Sequence, residues 1–314
     1  MSDKLAKTIQ RFQSKIDSGS FYEAHQTLRT ITNRYVKAKQ YPEARDLLYQ
    51  GATILIQNKE YASASDLIIY LVQIYEEEEL KVTDKDAKLK LIELISSLPN
   101  NDPSLNDLAK ASITWSQKSQ GCKNFGDNDL HHLFGSKFIQ AAEGENIDYE
   151  QKVKIFAVAE LHLVLGTFES VPIYVNFLVG TARANPDADQ GALLARAVLN
   201  YAYLKNIKFV QEAKSLFLRS VNIEAEAEAV GNVQYFERKP LLNFVQLLIE
   251  VLQKDPQTNG QKFRKLYDHY KSILKERELL APVEYLGKLY FNLNIGNSNN
   301  QGGLMANLMG GLFK

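Results

Sequence analysis

The chain has 314 residues, 45% of them apolar, enough to bury one large helical core or two ordinary ones. Lys plus Arg and Asp plus Glu number 37 each, so the formal net charge is zero, which argues against non-specific nucleic-acid binding as the main task. Cys122 is the only cysteine, which excludes an intrachain disulfide and a cysteine zinc site.

The N-terminal stretch MSDKLAKTIQRF alternates charged with apolar residues. It lacks the continuous apolar core of a secretory signal, and its acid argues weakly against a mitochondrial presequence. No apolar run approaches the ~20 residues of a membrane span. A soluble cytosolic protein is the expectation. In LAKTIQRFQSKI, Leu5, Ile9, Phe12 and Ile16 form one helical stripe. Lys4, Lys7, Arg11 and Lys15 form a second, displaced by the roughly 100° turn of one residue.

The next stretch, FYEAHQTLRTITNRYVKAKQY at 21–41, predicts another helix. Ala24, Leu28, Ile31 and Tyr35 supply its core face. Tyr22, Gln26, Arg29, Asn33 and Lys37 occupy the opposite face, with His25 and Arg34 on the flanks. Through Arg45 the bases Lys4, Lys7, Arg11, Lys15, Arg29, Arg34, Lys37, Lys39 and Arg45 face only the acids Asp3, Asp17, Glu23 and Glu43. Acid collects later, at Glu76–Glu79 and in IEAEAEA at 223–229. Organised basic faces on two consecutive helices fit an acidic protein partner, with salt-dependent docking.

FYEA at 21–24, YPEA at 41–44 and YASA at 61–64 repeat aromatic-x-x-Ala every 20 residues, each followed by a helical apolar stripe. One helix and a short turn fill about 20 residues, so two steps make an antiparallel hairpin. The fold class is therefore all-α, a solenoid of helix pairs similar to tetratricopeptide repeats. GTFESV around Phe168 and IKFVQEA at 207–213 look like degenerate copies. Loops are expected at 96–107 and 184–189, where prolines interrupt the pattern. Neither is long enough for a flexible linker, so one domain is expected over 1–295, with a flexible Gly/Asn-rich tail over 296–314.

Strand-like alternation is confined to VNIEAEAEAVGNVQYFERKP at 221–240. Ile223, Ala225, Ala227 and Ala229 alternate with Glu224, Glu226 and Glu228 before the turn signal Gly231-Asn232, so a β-hairpin is expected near 221–238, the alternative being a helix and loop, since Ala and Glu are both good helix formers. The following LLNFVQLLIEVLQ at 241–253 is apolar on more than one face, buried either by its own chain or by a partner. The apolar tail patch LMANLMGGLF is too short to span a membrane.

No HExxH, GxSxG or P-loop pattern occurs. His131 and His132, placed before the expected helix, do not share a helix face and read as structural or capping residues. His25, His162 and His269 each stand alone in the sequence, and Cys122 lacks a nucleophile signature.

The runs AKTIQRFQSKI, FYEAHQTLRTITNRYVKAKQYPEA, SDLIIYLVQIY, FGDNDLHHLFGSKF, LNFVQLLIEVLQ and LMANLMGGLF follow one another collinearly across the chain. Together they resemble the Golgi-to-ER traffic protein 4 family, the adaptor subunit of the guided-entry pathway for tail-anchored proteins. The resemblance implies a cytosolic, non-catalytic solenoid without a cofactor or metal. Its N-terminal half, about 1–145, would hold the dimeric targeting ATPase in its nucleotide-bound state and restrain hydrolysis. Matching positions are Lys7, Arg11, Lys15, Tyr22, His25, Arg34 and Lys37, with Asp66 as an acidic member. The C-terminal half, about 146–295, would hold the N-terminal segment of a ubiquitin-like-domain partner, whose dimerisation gives a heterotetramer. Its candidates are Phe236, Leu241, Leu242, Phe244, Leu247, Leu248 and Val251, with the hairpin contributing. That partner would recruit a chaperone loaded with a tail-anchored protein. The resemblance implies neither nucleic-acid binding nor membrane insertion by this chain. A generic helical-repeat scaffold or co-chaperone would instead bind peptide in its concave groove. A nucleic-acid reader needs a basic groove throughout, whereas here the basic excess ends after the first helices. An enzyme would need polar residues converging from distant segments.

Overall fold

A computed structural model describes residues 3–144, 147–221 and 228–296. Helix α1 spans Asp3–Asp17. The three aromatic residues of the 20-residue echo then open helices of equal length, α2 (Phe21–Lys37), α3 (Tyr41–Gln57) and α4 (Tyr61–Glu77). Ala24, Ala44 and Ala64 are each wholly buried, as small residues at close helix contacts should be. The joints are Schellman turns. After α2, Gln40 N–H bonds the Tyr35 carbonyl and Lys39 N–H that of Val36. The same pattern follows α3 and α4, placing Lys39, Lys59 and Glu79 at φ of 57°, 62° and 59°. These positions ordinarily favour glycine, so the hydrogen bonds and the following helix hold a conformation that the residue type does not prefer.

Helices α5 (Lys85–Ser96), α6 (Leu105–Gln117), α7 (Asn128–Ala142) and α8 (Tyr149–Leu165) continue the antiparallel pairing, with a 3-10 turn at Gln120–Cys122. Carboxylates cap three of the four: Asp84 for α5, Asp127 for α7 and Asp148 for α8. Side-chain bonds stitch α2 to α4, α3 to α5 and α5 to α7: Tyr70 to Asn33 at 37 residues' separation, Tyr49 to Glu93 at 44 and Lys88 to Asp129 at 41. Buried Lys137 of α7 donates to the Leu98 carbonyl at 2.7 Å and to Asn100 Oδ1 at 3.1 Å, placing a cation just beyond the C-terminus of α5.

The described residues fall into two compact units, one ending at Thr167 and the other beginning at Phe168. Helix α8 belongs with α7 because Gly135 lets it approach: a Cβ there would stand 3.0 Å from the Leu163 backbone nitrogen. His131 and His162 lie at the same contact, their Nδ1 atoms 2.8 Å apart. His162 is therefore not isolated, and His131 and His132 lie within α7, as its fourth and fifth residues, not before it. His131 Nε2 is 2.7 Å from the Phe125 carbonyl, so it carries a proton. In the neutral ring His131 Nδ1 is then the acceptor, and His162 Nδ1–H donates to it. Burial lowers both pKa values, that of His162 to about 3, with the neighbouring His131 adding to its shift.

An unfolded histidine takes its proton near pH 6.5, before these two do. The stability that the neutral His162 allows is thus complete above pH 6.5 and lost as pH falls towards about 3, at about 1.4 kcal/mol per pH unit, and the lowered pKa of His131 acts in the same direction. His162→Phe should give a shallower acid limb in the pH dependence of unfolding. Parallel limbs for wild type and variant below pH 6.5 would sink this account.

The second unit comprises α9 (Ser170–Ala184), α10 (Gln190–Tyr203), α11 (Ile207–Ser220), strands β1 (Glu228–Val230) and β2 (Val233–Tyr235), then α12 (Pro240–Leu252), α13 (Pro256–Glu276) and α14 (Leu280–Phe291). The strands form an antiparallel hairpin in which Val230 faces Val233 and Glu228 faces Tyr235. Gly231 has φ +62° and Asn232 is not left-handed, the φ signature of a type II′ turn. Ile223 to Ala227, including Glu224 and Glu226, lie outside the described residues, as does the tail from 297 onward with LMANLMGGLF. Helix α12 runs through the unit core against α10, where Gly191 lets the backbones of Leu241 and Leu242 come close. Tyr290 of α14 reaches back 88 residues to donate to the Ala202 carbonyl at 2.8 Å.

Candidate functional site

Helix α1 turns Leu5, Phe12 and Ile16 inward, leaving Ile9 half-buried. That rotation fixes where its bases point. Lys4, Lys7 and Arg11 border a groove of about 560 Å³ whose far wall, from α2, carries Arg34 with Ile31 and Tyr35. Ile31, expected in the core, is only half-buried here, and Thr32 takes the buried position on α2. Lys4 Nζ lies 5.9 Å from the centroid of the Tyr35 ring. Lys7, Arg11 and Arg34 are exposed, and among the described residues none has a carboxylate partner. Three unpaired cations around one groove, with an apolar wall, make a surface suited to an acidic protein segment.

The remaining basic residues part from this group. Lys15 pairs with Glu23. Arg45 pairs with Glu78 at 3.1 Å. Arg29 pairs with Asp66 and lies 5.1 Å over the Tyr70 ring, while the Tyr70 hydroxyl donates to Asn33 Oδ1. Burial raises the Tyr70 pKa, with the Arg29 charge opposing the shift. His25 is buried, its Nε2 2.7 Å from Asp66 Oδ2. The face opposite the α2 core is therefore in part a seam between α2 and α4. Of the eight sequence candidates, Lys7, Arg11 and Arg34 share the groove. Tyr22, 78% exposed, and Lys37 lie free on α2. Lys15, His25 and Asp66 already have partners within the chain. Arg29 and Tyr70 join that seam without having been candidates; the approach of α4 to α2, not local spacing, brings them in.

In the second unit the candidates divide differently. Phe236, Leu241, Leu242, Phe244 and Leu248 are each at most 1% exposed. They are core of their own unit, with almost no side-chain surface left at the exterior of the chain. The multi-faced apolar pattern of 241–253 is thus satisfied within the chain. Leu247 and Val251 keep partial exposure. They follow Asn243 at i+4 and i+8, on one side of α12. The hairpin adds accessible apolar surface, with Val230 58% and Tyr235 44% exposed.

Among the described residues no group of three His, Cys, Asp or Glu side chains could hold a metal, and no helix is long and apolar enough to cross a membrane.

A family model described as Golgi to ER traffic protein 4 matches residues 38–313. The chain is similar to Golgi to ER traffic protein 4 of Aspergillus fumigatus, 32% identical across 100% of this chain and 91% of the relative. The Schizosaccharomyces pombe protein of the same name is 29% identical, with 93% and 90% covered. Golgi to ER traffic protein 4 homolog A of Xenopus laevis is 28% identical, with 97% and 87% covered. Among solved structures, a crystal structure of C. therm. Get4 superposes with a TM-score of 0.81 at 26% identity, covering 99% of this chain and 96% of that one.

Proposed function

The chain belongs to the Golgi to ER traffic protein 4 family, and from that premise we propose that it is a cytosolic, non-catalytic adaptor of tail-anchored protein insertion with two separate docking surfaces. The N-terminal groove takes the targeting ATPase dimer. The observation that carries this is the cluster of Lys7, Arg11 and Arg34, unpaired within the described chain and ranged along one groove with an apolar wall. Unpaired charge steers association and contributes most where the partner brings carboxylates. Tyr22 and Lys37 extend the surface along α2.

An adaptor of this kind works without chemistry of its own. It changes the ATPase only in so far as it binds one nucleotide state more tightly than the others. A preference for the closed, ATP-bound dimer would favour the conformation that accepts a hydrophobic helix and slow its hydrolysis. The second unit holds the N-terminal segment of a ubiquitin-like-domain protein through Leu247, Val251 and the outward side of the hairpin. That partner supplies the chaperone carrying the tail-anchored protein, and its own dimerisation joins two adaptors.

Two measurements test these halves. Binding of the ATPase with and without ATP, across a salt series, should show tighter association with ATP and a steady loss as salt rises. Equal affinity in both nucleotide states would remove the proposed basis for restraint. For the second unit, the partner segment at a hundredfold excess over its Kd should stabilise the chain by about 2.7 kcal/mol. Identical melting with and without saturating segment would overturn that half.

A further inference from the structure

A two-stranded hairpin is at best marginally stable by itself, so something must hold β1 and β2 in place. One edge of β2 pairs with β1. The other meets two buried side-chain amides of α12. Asn243 Oδ1 accepts from Phe236 N–H at 2.9 Å, and Asn243 Nδ2–H donates to the Phe236 carbonyl at 2.8 Å. Gln246 repeats the arrangement with Gln234: its Oε1 accepts from the backbone N–H at 3.1 Å and its Nε2–H donates to the carbonyl at 2.8 Å. Residues 234 and 236 are i and i+2 in an extended segment, so both present N–H and C=O to one edge. Their ~6.6 Å spacing matches the ~5–6 Å between side chains at i and i+3 of a helix. Two amides thus replace a third strand.

We infer that Asn243 and Gln246 are positioning residues, amide rungs that hold the 228–236 hairpin on α12 so that its outward side stands ready beside Leu247 and Val251. This rests on the reading of the second unit given above. Apolar packing alone would not need either amide, because the remainder of α12 supplies Leu242, Phe244, Val245, Leu248 and Ile249 to the core. A buried amide without these partners would be costly, so the two side chains and the strand edge satisfy one another.

The test is hydrogen exchange at the Gln234 and Phe236 amides of the full chain, which these side chains protect, together with association of the ubiquitin-like partner's N-terminal segment. Asn243→Leu and Gln246→Met remove the rungs while keeping apolar volume. Each should speed exchange at its own amide roughly tenfold or more and weaken association with the segment by a similar factor. Gln246→Glu keeps the acceptor and loses the donor; it should give an intermediate rate and serves if Gln246→Met does not fold. Phe244→Leu is the control for mere loss of stability, expected to lower Tm with both rung amides still slow. Wild-type exchange rates in the rung variants overturn the clamp. Fast exchange with undiminished association overturns its positioning role. If the wild-type chain does not bind the segment, the partner reading falls, while the exchange rates still decide the clamp.

Discussion

Arg11→Glu combined with Arg34→Glu is expected to abolish measurable docking of the targeting ATPase, a loss of about 3 kcal/mol or more, or upwards of 100-fold in Kd. The two residues face one another across the α1–α2 groove, and neither is tied to a carboxylate among the described residues. Reversal therefore breaks no internal pair and should leave Tm close to wild type. It also places two acids beside Lys7, changing the sign of the local field from wholly positive to mixed. Arg29 makes the contrasting case. It is engaged with Asp66 and Tyr70, so Arg29→Glu would disturb the α2–α4 seam first and docking only through it. Raising salt should weaken wild-type binding and have little left to weaken in the double variant. Full-strength binding by the double variant would move the dock off this groove.

Gly191→Ala is expected to destabilise the second unit by about 3 kcal/mol, the upper part of the range for overpacking. Gly191 lies in the first turn of α10, where Asp189 caps its amide at 2.9 Å. A Cβ there would meet the Leu242 nitrogen at 2.6 Å and the Leu241 carbonyl carbon at 2.8 Å. Both are backbone atoms, so no rotamer change relieves the contact, and α10 must move off α12. With a Tm shift of about 2–4 °C per kcal/mol for a unit of this size, the loss is roughly 10 °C. Gly180→Ala is the matched control. It is an exposed helical glycine with nothing within 4 Å of its Cβ position, and it should stabilise by about 0.5–1 kcal/mol. A Gly191→Ala chain that melts with wild type would mean that the α10–α12 approach is not tight in solution.

The helix starts at Phe21, Tyr41 and Tyr61 were legible because aromatic and alanine recur at a fixed interval, and burial of Ala24, Ala44 and Ala64 follows from the same spacing. The hairpin turn at Gly231-Asn232 was legible too, since few sequences tolerate a left-handed residue between two strands. Elsewhere local pattern is silent about distant partners. Lys15, Arg29 and Arg11 look alike in sequence, yet the first two are spent on Glu23 and Asp66, the latter 37 residues away. His162 lies 31 residues from the ring it bonds. For α12, a helix buried by its own chain and one buried by a partner carry the same apolar composition, so Phe244 could not be told from a docking residue. The lysines and glutamate in left-handed turns broke the glycine rule, and only the Schellman bonds reveal why the chain turns there.

The cross-helix bonds have a consequence for how the protein is made. In the first unit they reach back about one helix pair, as from Tyr70 to Asn33 and from Asp129 to Lys88. Each new pair leaving a ribosome therefore finds its partner already emerged, and the N-terminal groove can be complete long before synthesis ends. The second unit cannot finish in the same way. Tyr290 must return 88 residues to the Ala202 carbonyl, so that unit closes only when the last described helix is free. A nascent chain would then be able to meet the two proposed partners in a fixed order, the ATPase first.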